Sequence, residues 1–184
     1  GEWDETWLIV VSDHGEAFYE HGQPTHGTTL HEEQVRSLLV VRIPGTQPRV
    51  VDAPVGLLDL LPSLTRELGL PVHGNFQGAS DIFGPDYSAD NRPFYFTIQG
   101  MTAEDGILLD DWKYTLNWQT GRQQLFDLTR DPGEFRNLIE DEPERARVLH
   151  TALEQFLHRQ LTYYDRALWR TGFYPARLRG SPGD

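Results

Sequence analysis

A short apolar run, Trp7-Leu8-Ile9-Val10-Val11, ends directly on Ser12-Asp13-His14-Gly15-Glu16. No other stretch constrains the fold as much. Rich in β-branched residues and without alternation, it reads as a strand over residues 6–12, buried on both faces of an open α/β sheet. Ligands bind at the C-terminal ends of such strands, where the departing loops converge on a rigid support. Side chains of neighbouring strand residues point to opposite faces, so Asp13 and His14 can serve one centre only if the backbone turns there; Gly15 permits the turn. A carboxylate oxygen beside an imidazole nitrogen suits a divalent metal ion. His21 and His26 follow in the same long loop, Glu20-His21-Gly22-Gln23-Pro24-Thr25-His26-Gly27, whose glycines and repeated histidines suit a loop wrapped around an ion or an anion.

The rest of the chain supports an α/β reading in its first half and a change of texture after it. Thr28, followed by Glu32 and Glu33, can cap a short helix over 29–35. Ser37 to Ile43 is a second nearly continuous apolar run closed by Pro44-Gly45, and two such runs joined by a crossover suggest a parallel pair. Val55, Leu58, Leu61, Leu64 and Leu68 stand at helical spacing over 54–69, a helix expected to cover the sheet, with Pro62 marking a kink or a junction. Residues 71–93 are an irregular connection. Beyond them, Phe94–Gln99, Gly106–Leu109, Trp112–Trp118 and Arg122–Phe126 are short runs separated by turn residues, the pattern of an antiparallel meander. Asp131-Pro132-Gly133-Glu134 reads as a turn. A helix over 143–160 presents Ala146, Leu149, Leu153, Phe156 and Leu157 on one face. The tail from Leu161 carries Tyr163, Tyr164, Trp169, Phe173 and Tyr174 among arginines, too many aromatics to leave unpacked. Three segments result: 1–93, an α/β portion; 94–160, a small antiparallel sheet-and-helix subdomain; and 161–184, the aromatic tail.

Composition narrows the partners. A formal charge of −12 disfavours nucleic acid, whose phosphates such a surface repels. No apolar run is long enough to span a membrane. There are no cysteines, so disulfides are excluded. Exposed strand edges would make self-association into a homo-oligomer possible.

Several of these segments, in this order, resemble the sulfatase family of the alkaline phosphatase superfamily. The resemblance runs through Ser12-Asp13-His14-Gly15-Glu16, His26-Gly27, and Leu30-His31-Glu32-Glu33-Gln34-Val35-Arg36 leading into Leu38–Gly45. It continues through Asp59-Leu60-Leu61-Pro62-Ser63-Leu64, Gln77-Gly78-Ala79-Ser80, Trp112-Lys113-Tyr114, Leu125-Phe126-Asp127-Leu128, Asp131-Pro132-Gly133-Glu134 and Asn137-Leu138. It covers residues 6–160 and implies the C-terminal portion of that fold: part of a parallel or mixed sheet, with a small antiparallel sheet-and-helix subdomain.

Carried over by position, Asp13 and His14 match metal ligands, and His26 matches the residue that contacts the substrate anion or the leaving group; His21, in the same loop, is a further candidate for substrate binding. The implied ion is calcium, with manganese or zinc as alternatives because His14 offers nitrogen where many sulfatases have Asn. The implied substrate is a small-molecule or glycan sulfate ester. A phosphate or phosphonate ester is the second reading, and a non-catalytic binding module the third. The family's nucleophile lies in a Cys/Ser-x-Pro-x-Arg motif, which this sequence lacks, as it lacks the N-terminal Asp-Asp pair. The expectation is therefore half of an active site, completed by a missing N-terminal half of the same fold, and no turnover by this chain alone.

Overall fold

The computed structural model describes residues 1–73, 76–79 and 81–165. The chain divides into two compact units: one made of Gly1–Asp52 and Pro93–Leu149, the other of Ala53–Arg92 with the described residues from His150 on. The elements in order are α1 (Glu2–Glu5), β1 (Leu8–Val11), α2 (Glu32–Val35), β2 (Leu39–Arg42), α3 (Leu57–Glu67), β3 (Phe94–Gln99), β4 (Ala103–Leu109), β5 (Trp112–Asn117), β6 (Gln123–Asp127) and α4 (Pro143–Asp165). Among the described residues no helix is long and apolar enough to cross a membrane.

In the first unit β1 and β2 pair antiparallel, Leu8 opposite Arg42 and Val11 opposite Leu39, which corrects the parallel pair suggested by the sequence. The connection explains the direction. Residues 12–38 contain one four-residue helix, too short for the crossover a parallel pair needs. Instead Ser12 and Leu38 close the ribbon's end: Ser12 N–H donates to the Leu38 carbonyl at 3.0 Å, and Leu38 N–H to Ser12 Oγ at 2.8 Å. Burial on both faces is corrected as well. Leu8, Val10, Val11, Leu38 and Val40 are all exposed, because a ribbon of two strands cannot cover its own faces.

The meander expected from residue 94 onward is present as a four-stranded antiparallel sheet in the order β3-β4-β5-β6. Its core is Ile107, Leu108, Tyr114, Leu116, Leu125 and Phe126. Asp110 and Asp111, both at positive φ, form the two-residue turn between β4 and β5, the left-handed pair that matches strand twist. β4 starts three residues earlier than the apolar pattern indicated, because Glu104 and Asp105 are buried polar members of it. Asp105 accepts the Trp118 indole N–H at 2.6 Å. The start of α4 belongs to this unit, with Ala146 and Leu149 buried and the Arg145 guanidinium 4.2 Å from the Trp112 ring centroid.

In the second unit α3 turns its polar residues inward. Asp59, Pro62 and Ser63 are buried, whereas Leu58, Leu61 and Leu68 of the expected core stripe are exposed. Hydrogen bonding sets this orientation. Asp59 accepts the N–H groups of Gly56 at 2.7 Å and Ala79 at 2.8 Å, and it holds the Arg92 guanidinium. Arg92 also donates to the Tyr87 hydroxyl, which donates to the Pro54 carbonyl. Ser63 Oγ donates to the Ala79 carbonyl at 3.1 Å. The irregular connection is thus bound to one helix face.

Pro62 sits inside this single helix, so the Leu58 carbonyl loses its helical donor. Gly78 packs against that carbonyl; a Cβ there would come within 2.1 Å of the Leu58 oxygen. Leu161 to Asp165, assigned above to the tail, are the last turn of α4, with Tyr163 buried. Ser80, Trp169, Phe173, Tyr174 and the Tyr164 side chain lie outside the described residues.

Candidate functional site

The loop between β1 and β2 carries every candidate residue, and its shape is set by Gln34. This buried side chain accepts the N–H groups of Thr28 at 3.0 Å and Thr29 at 3.2 Å through Oε1, and its Nε2 donates to both threonine hydroxyls. Thr28 therefore does not cap α2, as expected from the sequence. The first N–H of that helix, Glu32, donates instead to Glu134 Oε2 at 2.5 Å. Leu30, buried, reaches the meander and contacts Gly106 of β4.

Gly15 joins the strand end to α2. Its N–H donates to the Gln34 carbonyl at 3.0 Å, and a Cβ on it would lie 2.2 Å from the Glu33 carbonyl oxygen. Close backbone approach is thus what demands glycine here. Gly15→Ala is expected to destabilise the chain by about 1–3 kcal/mol through this clash, read as a lower urea midpoint; an unchanged midpoint would show that the backbone relaxes freely.

The backbone does turn at Asp13 and His14, bringing Asp13 Oδ1 and His14 Nε2 to 3.7 Å. Both side chains face solvent. His14 Nδ1 donates to the Gly15 carbonyl at 2.6 Å, which leaves the lone pair on Nε2 beside the carboxylate. The His26 ring lies against His14, centroids 4.2 Å apart. His26 Nδ1 donates to the Glu16 carboxylate at 3.1 and 3.2 Å, and that hydrogen bond holds Glu16 below the usual carboxylate range. Asp13, His14, Glu16 and His26 form one group.

His21 belongs to another. Its Nδ1 lies 2.9 Å from Glu33 Oε1, its Nε2 lies 3.3 Å from the Glu134 carbonyl, and its ring stacks on His31 with centroids 3.8 Å apart. His31 is buried, and desolvation, aided by the neighbouring His21, pushes its pKa down to about 4. Phe135 covers the outer face of His21 at 5.2 Å. These rings border a cleft of about 230 Å³ that also involves Gln23, Arg122 and Gln124.

Buried Lys113 places Nζ 2.8 Å from Glu32 Oε1 and 2.9 Å from Glu134 Oε1. Glu33, Gln34 and Glu134 were not singled out from the sequence. Glu33 and Glu134 act through partners 12 and 102 residues away, Gln34 through the threonines five and six residues before it, and only the Glu32-Glu33 pair next to a histidine hinted at them.

Residues 1–70 match the family model described as Sulfatase. The uncharacterized sulfatase YidJ of Escherichia coli (strain K12) is 28% identical over 150 residues, 75% of this chain and 29% of that protein. Arylsulfatase K of Bos taurus is 27% identical over 170 residues, 84% and 31% respectively. The chain thus spans less than a third of these curated relatives.

Among solved structures, BT4656, in complex with its substrate D-glucosamine-2-N,6-O-disulfate, superposes with a TM-score of 0.70 at 22% identity, covering 91% of this chain and 36% of that one. The phosphonate monoester hydrolase SpPMH from Silicibacter pomeroyi gives 0.67 at 22%, covering 91% and 37%. The fold is therefore the mixed α/β fold of these solved structures. The family match covers residues 1–70, and along most of its length the chain is similar to curated sulfatases.

Proposed function

We propose that this chain supplies one side of a metal-assisted sulfate-ester hydrolase site, with Asp13 and His14 as ligands of a divalent cation and His26 facing the sulfate or its leaving oxygen. The observation that carries this reading is the Asp13–His14 pair: two donors 3.7 Å apart, a separation that one shared ion can span, with the His14 ring fixed by the Gly15 carbonyl so that Nε2 is the coordinating nitrogen. A bound cation would neutralise charge on the group being transferred. Calcium is the family expectation; the imidazole ligand favours manganese or zinc.

The chain's own residues do the rest. Glu16, ionised at neutral pH, keeps His26 Nδ1 in its hydrogen bond. With both ring nitrogens protonated, His26 Nε2–H can contact an anionic oxygen or give its proton to the departing one. Contact with the His14 ring sets the position of His26 relative to the ion. The relatives are about three times as long as this chain, and no cysteine is available to become a nucleophile. By itself the chain is expected to bind a divalent ion weakly and to hydrolyse nothing.

The test uses the natural polypeptide that contains this sequence. Asp13→Asn is expected to lower kcat/KM for an aryl sulfate by about 10²-fold or more; an unchanged value would remove Asp13 from the site. Phosphonate or phosphate monoester hydrolysis is the second reading, favoured by the nitrogen ligand at position 14. Comparing kcat/KM for an aryl sulfate and a phenylphosphonate ester decides between the two, and activity on neither would leave the binding-module reading.

A further inference from the structure

We infer that His21, His31 and Glu33 form a second divalent transition-metal site, of the zinc type and made from different residues than the Asp13–His14 pair. The inference goes beyond the proposed hydrolase site and does not depend on it. One donor atom from each of the three residues lies within 4.8 Å of the others. Two imidazoles and a carboxylate are a donor set that suits zinc, with the fourth position left to an exchangeable ligand. Here the open side is the cleft bordered by Gln23, Arg122 and Phe135. Arg122 opposes a bare cation in that cleft and favours an anion as the fourth ligand.

Two hydrogen-bond patterns prepare the site. His31 Nδ1 is paired with Thr29 Oγ1 at 3.0 Å; with the hydroxyl oxygen accepting, the His31 lone pair sits on Nε2, the arrangement that orients metal-bound histidines. His21 has an oxygen acceptor at each ring nitrogen, the Glu134 carbonyl and the Glu33 carboxylate. A neutral imidazole has one N–H and can serve only one of them. With its one N–H on Nε2 toward the Glu134 carbonyl, His21 turns the Nδ1 lone pair to the Glu33 carboxylate, two donors between which a metal ion can be held.

Coordination requires a rearrangement. Donors about 2.1 Å from an ion in tetrahedral geometry lie about 3.4 Å apart, whereas here they stand up to 4.8 Å from one another, so the group must close by up to about 1.4 Å. The His21 and His31 rings are also within 9° of parallel, so His21 must turn out of the stack to aim at an ion that His31 binds in its ring plane. The contact it gives up, 3.3 Å to the Glu134 carbonyl, is the longest in the cluster.

The experiment titrates the untagged chain, stripped of metal, with Zn²⁺ by calorimetry and with Co²⁺ by visible absorption. The double variant D13N/H14Q should still take up one equivalent of Zn²⁺ and show the d–d bands of a low-coordinate Co²⁺ site. His31→Gln and Glu33→Gln, made in that background, should each weaken Zn²⁺ binding by more than about tenfold. Should His31→Gln fail to fold by circular dichroism, the Glu33→Gln variant alone decides. The proposal is overturned if D13N/H14Q binds no Zn²⁺, or if Glu33→Gln leaves the affinity unchanged. Loss of aryl sulfatase activity on Asp13→Asn in the natural polypeptide, with Zn²⁺ uptake by the D13N/H14Q chain intact, would separate this site from the hydrolase reading.

Discussion

Lys113→Met is expected to destabilise the chain by about 3–5 kcal/mol, the usual consequence of removing one partner from a buried ion pair. Lys113 is the only lysine in the sequence and is fully buried. Its ammonium neutralises Glu32 at 2.8 Å and Glu134 at 2.9 Å, and lies 5.5 Å from the Phe96 ring centroid. Methionine matches the length of the stem but leaves the Glu134 carboxylate buried without a cation. Desolvation already raises the Glu134 pKa in the presence of Lys113; without it, the carboxyl must take up a proton or unfold its surroundings.

The consequence reaches the site. Glu134 also caps α2 through the Glu32 N–H, and α2 carries Glu33 and the Gln34 that shapes the histidine loop. Adding Glu134→Gln should recover part of the loss, with a coupling above about 1 kcal/mol in a double-mutant cycle. Urea melts of the four chains provide the measurement. A Lys113→Met chain within about 1 kcal/mol of the parent would show that the triad contributes no net stability.

The second large effect is a loss of stability in mild acid caused by His31. Its ordinary pKa of 6.5 is depressed to about 4 in the fold, first by burial and then by the charge of His21. The unfolded chain binds a proton there below about pH 6.5, whereas the folded chain does so only near 4. Stability from this group is thus complete above pH 6.5 and falls as the pH drops through that window, by about 3 kcal/mol in all. Glu134 acts in the opposite sense. Its raised pKa means that the folded state gains a proton before the unfolded one, which adds stability as the pH falls toward 4.5. With EDTA present, His31→Gln should flatten the fall in urea midpoint between pH 6.5 and 4.5 relative to the parent chain. An identical slope in both would assign the acid sensitivity elsewhere.

Local pattern determined a definite part of this protein. Short runs from Phe94 to Phe126, separated by Asp110-Asp111 and Thr120-Gly121, specify four antiparallel strands, because hairpin register is set by neighbouring turns. The helix beginning near 143 and its Ala146–Leu149–Leu153 face follow from spacing. The Asp13–His14 pairing was legible too, since adjacent residues before a glycine need only a turn to converge.

Tertiary structure decided the remainder. It paired β1 with β2 antiparallel, and it turned α3 so that Asp59 and Ser63 face inward in place of its leucines. It divided the histidines into two groups, His26 beside His14 and His21 beside His31. The reason is sequence separation. Lys113 meets Glu32 across 81 residues, and Glu134 caps Glu32 across 102; no local pattern encodes such a pair. Buried polar groups follow their distant partners, because leaving one unsatisfied costs about 1–3 kcal/mol, comparable to the gain from burying a leucine.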